Sequence, residues 1–277
     1  MLAPPLQSSH TSEVGRVSTS LGTIGFEERG TGSGAPLLLL HGVGSDKSVW
    51  NAQIDHFGRS RRTVAFDFPG YADSDPVDDD CTRDEVAELF IAAMDALGID
   101  RAHFCGLSLG GVMAIAIYDA APARCASLVI ANSFAVHPDG QAIYDRSVEL
   151  SRTAGMRGIA EQRAPLLLAT STPPDVTRSV IATMAAIDPA AYRIAARAVW
   201  LADQRDRAAT ISAPTLVLVG SDDPVTPPAL SRKLAEIIPG ARYVELEGAS
   251  HLSNLDRPTQ FNRTLERFLS EVEQIAG

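Results

Sequence analysis

Ala102-His103-Phe104-Cys105-Gly106-Leu107-Ser108-Leu109-Gly110-Gly111 reads as a strand, one cramped turn and the start of a helix. Ala102–Cys105 is a short apolar run, and Leu109–Ala120 is apolar nearly all round, the signature of a buried helix. Between them stands Gly106-x-Ser108-x-Gly110. In a chain with 21 glycines such a match means little by itself; its place between strand and helix gives it weight. A chain that passes from strand to helix without a loop forces the middle residue into strained backbone angles, and side chains on either side would collide. Gly106 and Gly110 remove that collision, and Ser108 Oγ is lifted above the sheet at the positive end of a helix. The plain alternative is a glycine-rich turn with a capping serine.

Outward from this turn, short apolar runs alternate with longer amphipathic ones. Candidate strands are Arg16–Ser20, Thr23–Arg29, Pro36–Leu40, Arg62–Asp67, Ala102–Cys105, Ser127–Ala131, Pro214–Val219 and Ala241–Glu247. Leu37–Leu40, Leu128–Ile130 and Leu216–Val219 are continuously apolar, as strands buried on both faces must be. The first two strands alternate instead, which suits an antiparallel hairpin at a sheet edge. Thr82–Leu97 opens with the capping box Thr82/Glu85 and stops at Gly98, while Pro228–Ile238 and Pro258–Ile275 begin with a proline where helices favour one. The fold class is α/β, a mostly parallel sheet covered on both faces by helices. From Asp139 to Arg205 no strand is expected, only helices over about Gln141–Ala154, Met156–Ala169, Pro174–Ala186 and Pro189–Gln204. That block predicts a helical cap, 139–205, inserted into a core of 16–138 and 206–277, with 1–15 a frayed, disordered tail.

At 277 residues the chain has the length of one domain with an insertion, and its core needs no metal or disulfide staple. Its 24 basic and 34 acidic residues leave a charge of −10, which disfavours nucleic acid and anionic membrane surfaces as partners. No stretch is apolar enough to span a bilayer, and MLAPPLQSSHTSEVG lacks the features of a secretory signal. Cys81, Cys105 and Cys125 are too few and too scattered for a disulfide framework or metal cluster. A cytoplasmic location is the expectation, with neither cofactor nor metal called for. The cap carries 8 Arg against 7 acidic residues while the rest of the chain is strongly acidic, a faint hint of an anionic group in the substrate beside the plainer reading of solvated helix faces.

A serine hydroxyl is a poor nucleophile at neutral pH and needs a base, which in turn needs an orienting acid. His251, in Gly248-Ala249-Ser250-His251-Leu252-Ser253-Asn254 between the last strand and the final helix, is the candidate base. His10 lies in the tail, His56 and His103 precede the wrong elements, and His137 sits at the cap entrance. The candidate acid lies in Gly220-Ser221-Asp222-Asp223-Pro224. Periodicity alone does not separate the two aspartates; the Gly-x-x-Asp spacing from the strand end favours Asp223. The other strand end that could supply an acid, after Ser127–Ala131, holds Asn132 and Ser133, neither a carboxylate. The developing oxyanion needs N–H donors. The backbone N–H of Leu109 is one, and the turn His41-Gly42-Val43-Gly44 supplies the other, best assigned to Val43. His41, at the strand end, suits a structural hydrogen bond better than a second base.

Oxyanion turn, nucleophile, acid and base in this order resemble the α/β-hydrolase superfamily from about Arg16 onward. The resemblance implies an eight-stranded core sheet with a cap. Asp67-Phe68-Pro69-Gly70-Tyr71-Ala72-Asp73-Ser74 is similar to the superfamily's Asp-x-x-Gly-x-Gly-x-Ser loop, with Ala72 in place of the second glycine, so Asp67, Asp73 and Asp75 read as scaffolding. Within the superfamily, Phe104–Gly111, Gly155-Met156 with Ile159-Ala160, and Ala241–Leu246 leading to Ser250–Asn254 resemble 3-oxoadipate enol-lactonases. The turn His41–Gly44 and the loop Pro69-Gly70-Tyr71 follow the general esterase form instead. The resemblance implies a carboxylesterase or an enol-lactonase-like enzyme acting on a small-molecule ester or lactone. C–C hydrolases of vinylogous diketones usually carry a tryptophan after the catalytic histidine, where this chain has Leu252. A noncatalytic ligand-binding homologue is the remaining alternative. Trp50 is expected beneath the oxyanion turn; Trp200, Phe134 and Leu166–Leu168 suit either core packing or an apolar acyl site.

Overall fold

Eight strands follow in chain order: β1 (Glu13–Thr19), β2 (Gly22–Arg29), β3 (Leu37–Leu40), β4 (Thr63–Phe66), β5 (Ala102–Leu107), β6 (Cys125–Ala131), β7 (Thr215–Gly220) and β8 (Arg242–Leu246). They form one sheet in the order β1-β2-β4-β3-β5-β6-β7-β8. The computed structural model that shows this describes residues 12–32 and 34–276. β3 through β7 are buried along their whole lengths, which is why their sequences do not alternate. β1 and β2 form the expected antiparallel hairpin, β2 also runs antiparallel to β4, and the remaining pairs are parallel.

The hairpin corrects one boundary. Pairing between β1 and β2 extends to Glu13 opposite Glu28, so residues 13–15 belong to the sheet and not to the predicted tail. The strand carries on past its apolar residues because backbone pairing needs no particular side chain at a solvated edge. Residues 1–11 of that predicted tail lie outside the described residues.

The helices are α1 (Asn51–Phe57), α2 (Arg83–Ala96), α3 (Leu109–Ala120), α4 (Gly140–Thr153), α5 (Gly155–Leu167), α6 (Pro174–Ala185), α7 (Pro189–Trp200), α8 (Arg205–Ala209), α9 (Pro228–Ile237), α10 (Ser253–Asp256) and α11 (Pro258–Ala276). The capping box of α2 is formed on both sides, Thr82 Oγ1 accepting from the Glu85 N–H and Glu85 from the Thr82 N–H. α3, running from the end of β5, has every residue from Leu109 to Tyr118 buried. Between β6 and β7 the chain makes five α-helices among the described residues, α4 to α8, and the contacts of α7 and α8 with α3 seat them on the core. Arg197 Nη2 donates to the Cys81 carbonyl at 2.9 Å and Arg83 Nη1 to the Ala198 carbonyl at 2.9 Å, two further ties between α7 and the core. α1, α8 and α10, of seven, five and four residues, are not expected from the sequence, since each is too short to show a period of its own.

Candidate active site

At the junction of β5 and α3, Ser108 has φ 55° and ψ −111°, backbone angles unusual for a residue with a side chain. The steric argument for its neighbours holds in detail. A Cβ on Gly106 would lie 2.0 Å from the Gly110 carbonyl oxygen, and one on Gly110 would lie 2.1 Å from the Leu40 carbonyl oxygen. Main-chain and side-chain hydrogen bonds complete the turn: the Ser108 N–H donates to the Ala131 carbonyl at 2.9 Å, and Ser133 Oγ donates to the Ser108 carbonyl at 2.8 Å. Ser108 is 2% exposed.

Asp223 and His251 leave the ends of the neighbouring strands β7 and β8 and meet: Asp223 Oδ2 is 2.9 Å from His251 Nδ1. Asp222 is exposed in the turn between them, so burial separates the two aspartates where spacing only favoured one. The Asp223 carboxylate is densely bonded. Oδ1 accepts the N–H groups of Val225 and Thr226 at 2.8 and 2.9 Å, and Oδ2 accepts Thr226 Oγ1 at 2.7 Å and Asn132 Nδ2 at 2.8 Å. Burial alone would raise its pKa, but the charge and hydrogen bond of His251, with the bonds from Asn132 and Thr226, outweigh that and hold the carboxyl below its ordinary value. Asp223 is therefore a carboxylate at neutral pH.

Both hydrogen bonds of His251 are at Nδ1, to Asp223 and at 3.2 Å to Thr226 Oγ1, which leaves Nε2 for the serine side. Ser108, His251, Gly42, Val43 and Gly44 line one small cavity. Among the described residues no hydrogen bond joins Ser108 Oγ to His251. The turn after β3 sits against the serine, since a Cβ on Gly42 would lie 3.4 Å from Ser108 Cβ. Tyr71 Oη donates to the Val43 carbonyl at 2.8 Å and so fixes the orientation of that turn. Neither the Val43 nor the Leu109 N–H donates to another described residue.

The remaining candidates have other partners. His41 accepts the Phe68 N–H at Nε2, 3.0 Å, and uses Nδ1 on the Gly42 carbonyl at 2.8 Å; burial lowers its pKa, and the ring is held neutral between two backbone groups. Asp67 is fully buried and accepts Lys47 Nζ at 2.7 Å and the Lys47 N–H at 2.8 Å, with Asp73 on the same ammonium. Ala72, in place of the loop's second glycine, takes φ 39°. Trp50 is buried against Phe261, ring centroids 5.9 Å apart. Phe134 stacks on Trp200 at 5.9 Å, and Trp200 also lines a larger cavity among α4, α5 and α7. Among the described residues no group of three or more His, Cys, Asp or Glu is placed to hold a metal ion, and no helix is long and apolar enough to cross a membrane.

Two contributors went unseen in the sequence. Asn132, just past β6, takes φ 48°, a region its short polar side chain tolerates, and bridges Asp223, the Ser250 carbonyl at 3.2 Å and Ser253 Oγ at 2.6 Å. It had been passed over for lacking a carboxylate; its place beside the strand that carries Asp223 was the signal. Asp256 is the second. Its carboxylate accepts the Ser250 N–H at 2.7 Å, the Ala169 N–H at 3.1 Å and Thr172 Oγ1, which ties the His251 loop to the segment that follows α5. No local pattern marks it.

Comparison with known proteins adds three findings. The family model described as "Alpha/beta hydrolase family" matches residues 37–264. Curated relatives include 3-oxoadipate enol-lactonase 1 of Acinetobacter baylyi, 29% identical over 255 residues, 91% of this chain and 94% of that protein. A relative in Azorhizobium caulinodans, provisionally named carbamate hydrolase RutD, is 30% identical over 254 residues, 88% of this chain and 94% of that protein. Among solved structures, the enol-lactonase from Burkholderia xenovorans LB400 superposes with a TM-score of 0.87 at 28% identity, over 92% of this chain and all of that one.

Proposed function

The chain belongs to the alpha/beta hydrolase family, and from that premise we propose that it cleaves a carboxylic ester or lactone through an acyl-enzyme on Ser108. The observation that carries this reading is the buried Asp223–His251 pair, 2.9 Å apart, whose histidine lines the same small cavity as Ser108. Ser108 Oγ attacks the substrate carbonyl while His251 Nε2 takes its proton. Asp223, bonded to Nδ1, holds the imidazole in the tautomer that leaves Nε2 free and stabilises the cation it becomes. The Val43 and Leu109 N–H groups receive the developing oxyanion, each such donor contributing on the order of 3 kcal/mol. His251 then returns the proton to the leaving alkoxide and activates the water that releases the acid. For a lactone the leaving alkoxide stays on the acyl chain, so a single hydroxy acid is released.

The enol-lactonase relatives favour the lactone side of this class, and the esterase form of the turn His41–Gly44 favours open esters. A panel of purified-protein assays divides the readings: short and long p-nitrophenyl esters, simple lactones, 3-oxoadipate enol-lactone and a vinylogous diketone. Preference for the enol-lactone selects an enol-lactonase, broad turnover of short esters a carboxylesterase. Turnover of the diketone alone would select C–C hydrolysis. Ser108→Ala should lower kcat by about 10⁴-fold or more. Unchanged turnover in that variant would end the acyl-enzyme reading, and failure of an organophosphonate probe to label the wild type would favour a noncatalytic homologue.

A further inference from the structure

The space around Ser108 amounts to only about 10 Å³, whereas the cavity beneath the cap measures about 630 Å³. The first holds about one water; the second is the size of a small-molecule site. Arg163, on α5, lines both. The larger cavity is otherwise walled by α4, α5 and α7 of the cap and by Pro224 and Val225, which directly follow Asp223.

Among the described residues, four of the eight arginines between 139 and 205 face an acid, and Arg163, like Arg146, Arg178 and Arg197, does not. Arg152, Arg157, Arg193 and Arg205 each face an acid, Glu149, Glu161, Asp79 and Asp203 respectively. Among the described residues Arg163 faces none; its Nη1 donates to the buried hydroxyl of Tyr192 at 3.1 Å. That bond holds the guanidinium by one nitrogen and leaves its other N–H groups available, in the fork that fits a carboxylate. The remaining charged groups on the cavity wall are Arg146 and Asp139, so two guanidiniums oppose one carboxylate. His137 adds no charge at neutral pH, its pKa being lowered by burial. Trp200, in the same wall, has a buried Nε1–H with no acceptor. In a chain of net charge −10, this is a local cationic pocket next to the nucleophile.

We propose that Arg163 is a specificity-determining residue that binds a free carboxylate on the substrate, so that the site selects esters or lactones carrying an anionic group over neutral ones. The ester or lactone part of this statement rests on the Ser108 reading above; the carboxylate site stands on the cavity itself. A neutral acyl chain would leave the guanidinium half-buried beside an apolar group, while a carboxylate replaces its water with a charge-assisted pair.

The test compares p-nitrophenyl hemiglutarate with p-nitrophenyl pentanoate, alike in acyl length but differing in the terminal carboxylate. Wild type should favour the hemiglutarate in kcat/KM by about tenfold or more, Arg163→Gln should reduce that preference by about tenfold, and Arg163→Lys should retain part of it. Comparing the ratio of the two esters separates recognition from any general loss of activity in the variants. No preference in the wild type, or an equal fall for both esters in R163Q, overturns the proposal. A readout without turnover runs beside it: millimolar glutarate should raise the Tm of the wild type and not that of R163Q, and equal shifts in both count against the site. If neither ester is hydrolysed but glutarate still stabilises the wild type selectively, the open-ester reading falls and the carboxylate site stands.

Discussion

The turn that carries Ser108 is fixed by collisions that side chains would cause: backbone oxygens stand 2.0 to 2.1 Å from where Cβ atoms at Gly106 and Gly110 would be. The loop that carries His251 is fixed by polar contacts from distant parts of the chain. The Leu252 N–H donates to the Leu167 carbonyl at 2.8 Å, Ser250 Oγ to the Leu166 carbonyl at 3.2 Å, and the Ser250 N–H to Asp256, which also holds Ala169. One half of the site is thus part of the sheet's own packing, and the other is suspended between the sheet and the cap. A shift of α5 can therefore disturb His251 while Ser108 stays in place.

Gly110→Ala gives the largest expected effect on stability. Its Cβ would meet the Leu40 backbone oxygen, and no rotamer relieves a backbone clash, so a loss of at least about 3 kcal/mol should appear as a lowered urea midpoint. A variant as stable as wild type would mean the elbow has slack, and the contrast drawn above would fail. Asp256→Ala comes next, because it leaves the Ser250 and Ala169 N–H groups without their acceptor. A loss of about 2 kcal/mol is expected, together with a fall in kcat on whichever substrate is found. Loss of stability with kcat intact would show that the cap seam does not position His251.

The smallest effect concerns acid. His103, at the start of the strand that leads to Ser108, is 2% exposed and bonded to Ser127 Oγ at 2.7 Å. Burial, with the nearby Arg61 charge, lowers its pKa to about 4, partly opposed by Glu273. The unfolded chain, at an ordinary value near 6.5, binds this proton first, so the contribution is intact above pH 6.5 and is lost as pH falls towards 4. About 1 kcal/mol should disappear between pH 7 and 5.5. His103→Gln should flatten that part of the curve in urea titrations at several pH values; an unchanged slope would assign the acid sensitivity to other groups.

Legibility in the sequence followed the same division. Inner strands such as β3 and β7 were readable because burial on both faces makes each a continuous apolar run, as in Leu37–Leu40. The edge strand β1 began earlier than expected because pairing of Glu13 with Glu28 depends on the partner strand and not on side-chain pattern. For the site, the elbow was legible as neighbouring glycines around one serine. Asp223 was preferred on spacing, and its burial beside an exposed Asp222 distinguishes the two. Asn132 and Asp256 were missed because each acts on residues far away along the chain; Asn132 and Asp223, for instance, are 91 positions apart.

By itself the sequence determined the order of strands and helices and the need for glycine on both sides of Ser108, since these depend on adjacent residues and on the sterics of one turn. Only the tertiary structure decided which groups surround Asp223, which carboxylate ties the His251 loop to the segment after α5, and that Arg163 lines both the Ser108 cavity and the large one with no acidic partner among the described residues. Those are meetings between elements brought together by packing, and nothing in the spacing of residues along one element records what another will place opposite it.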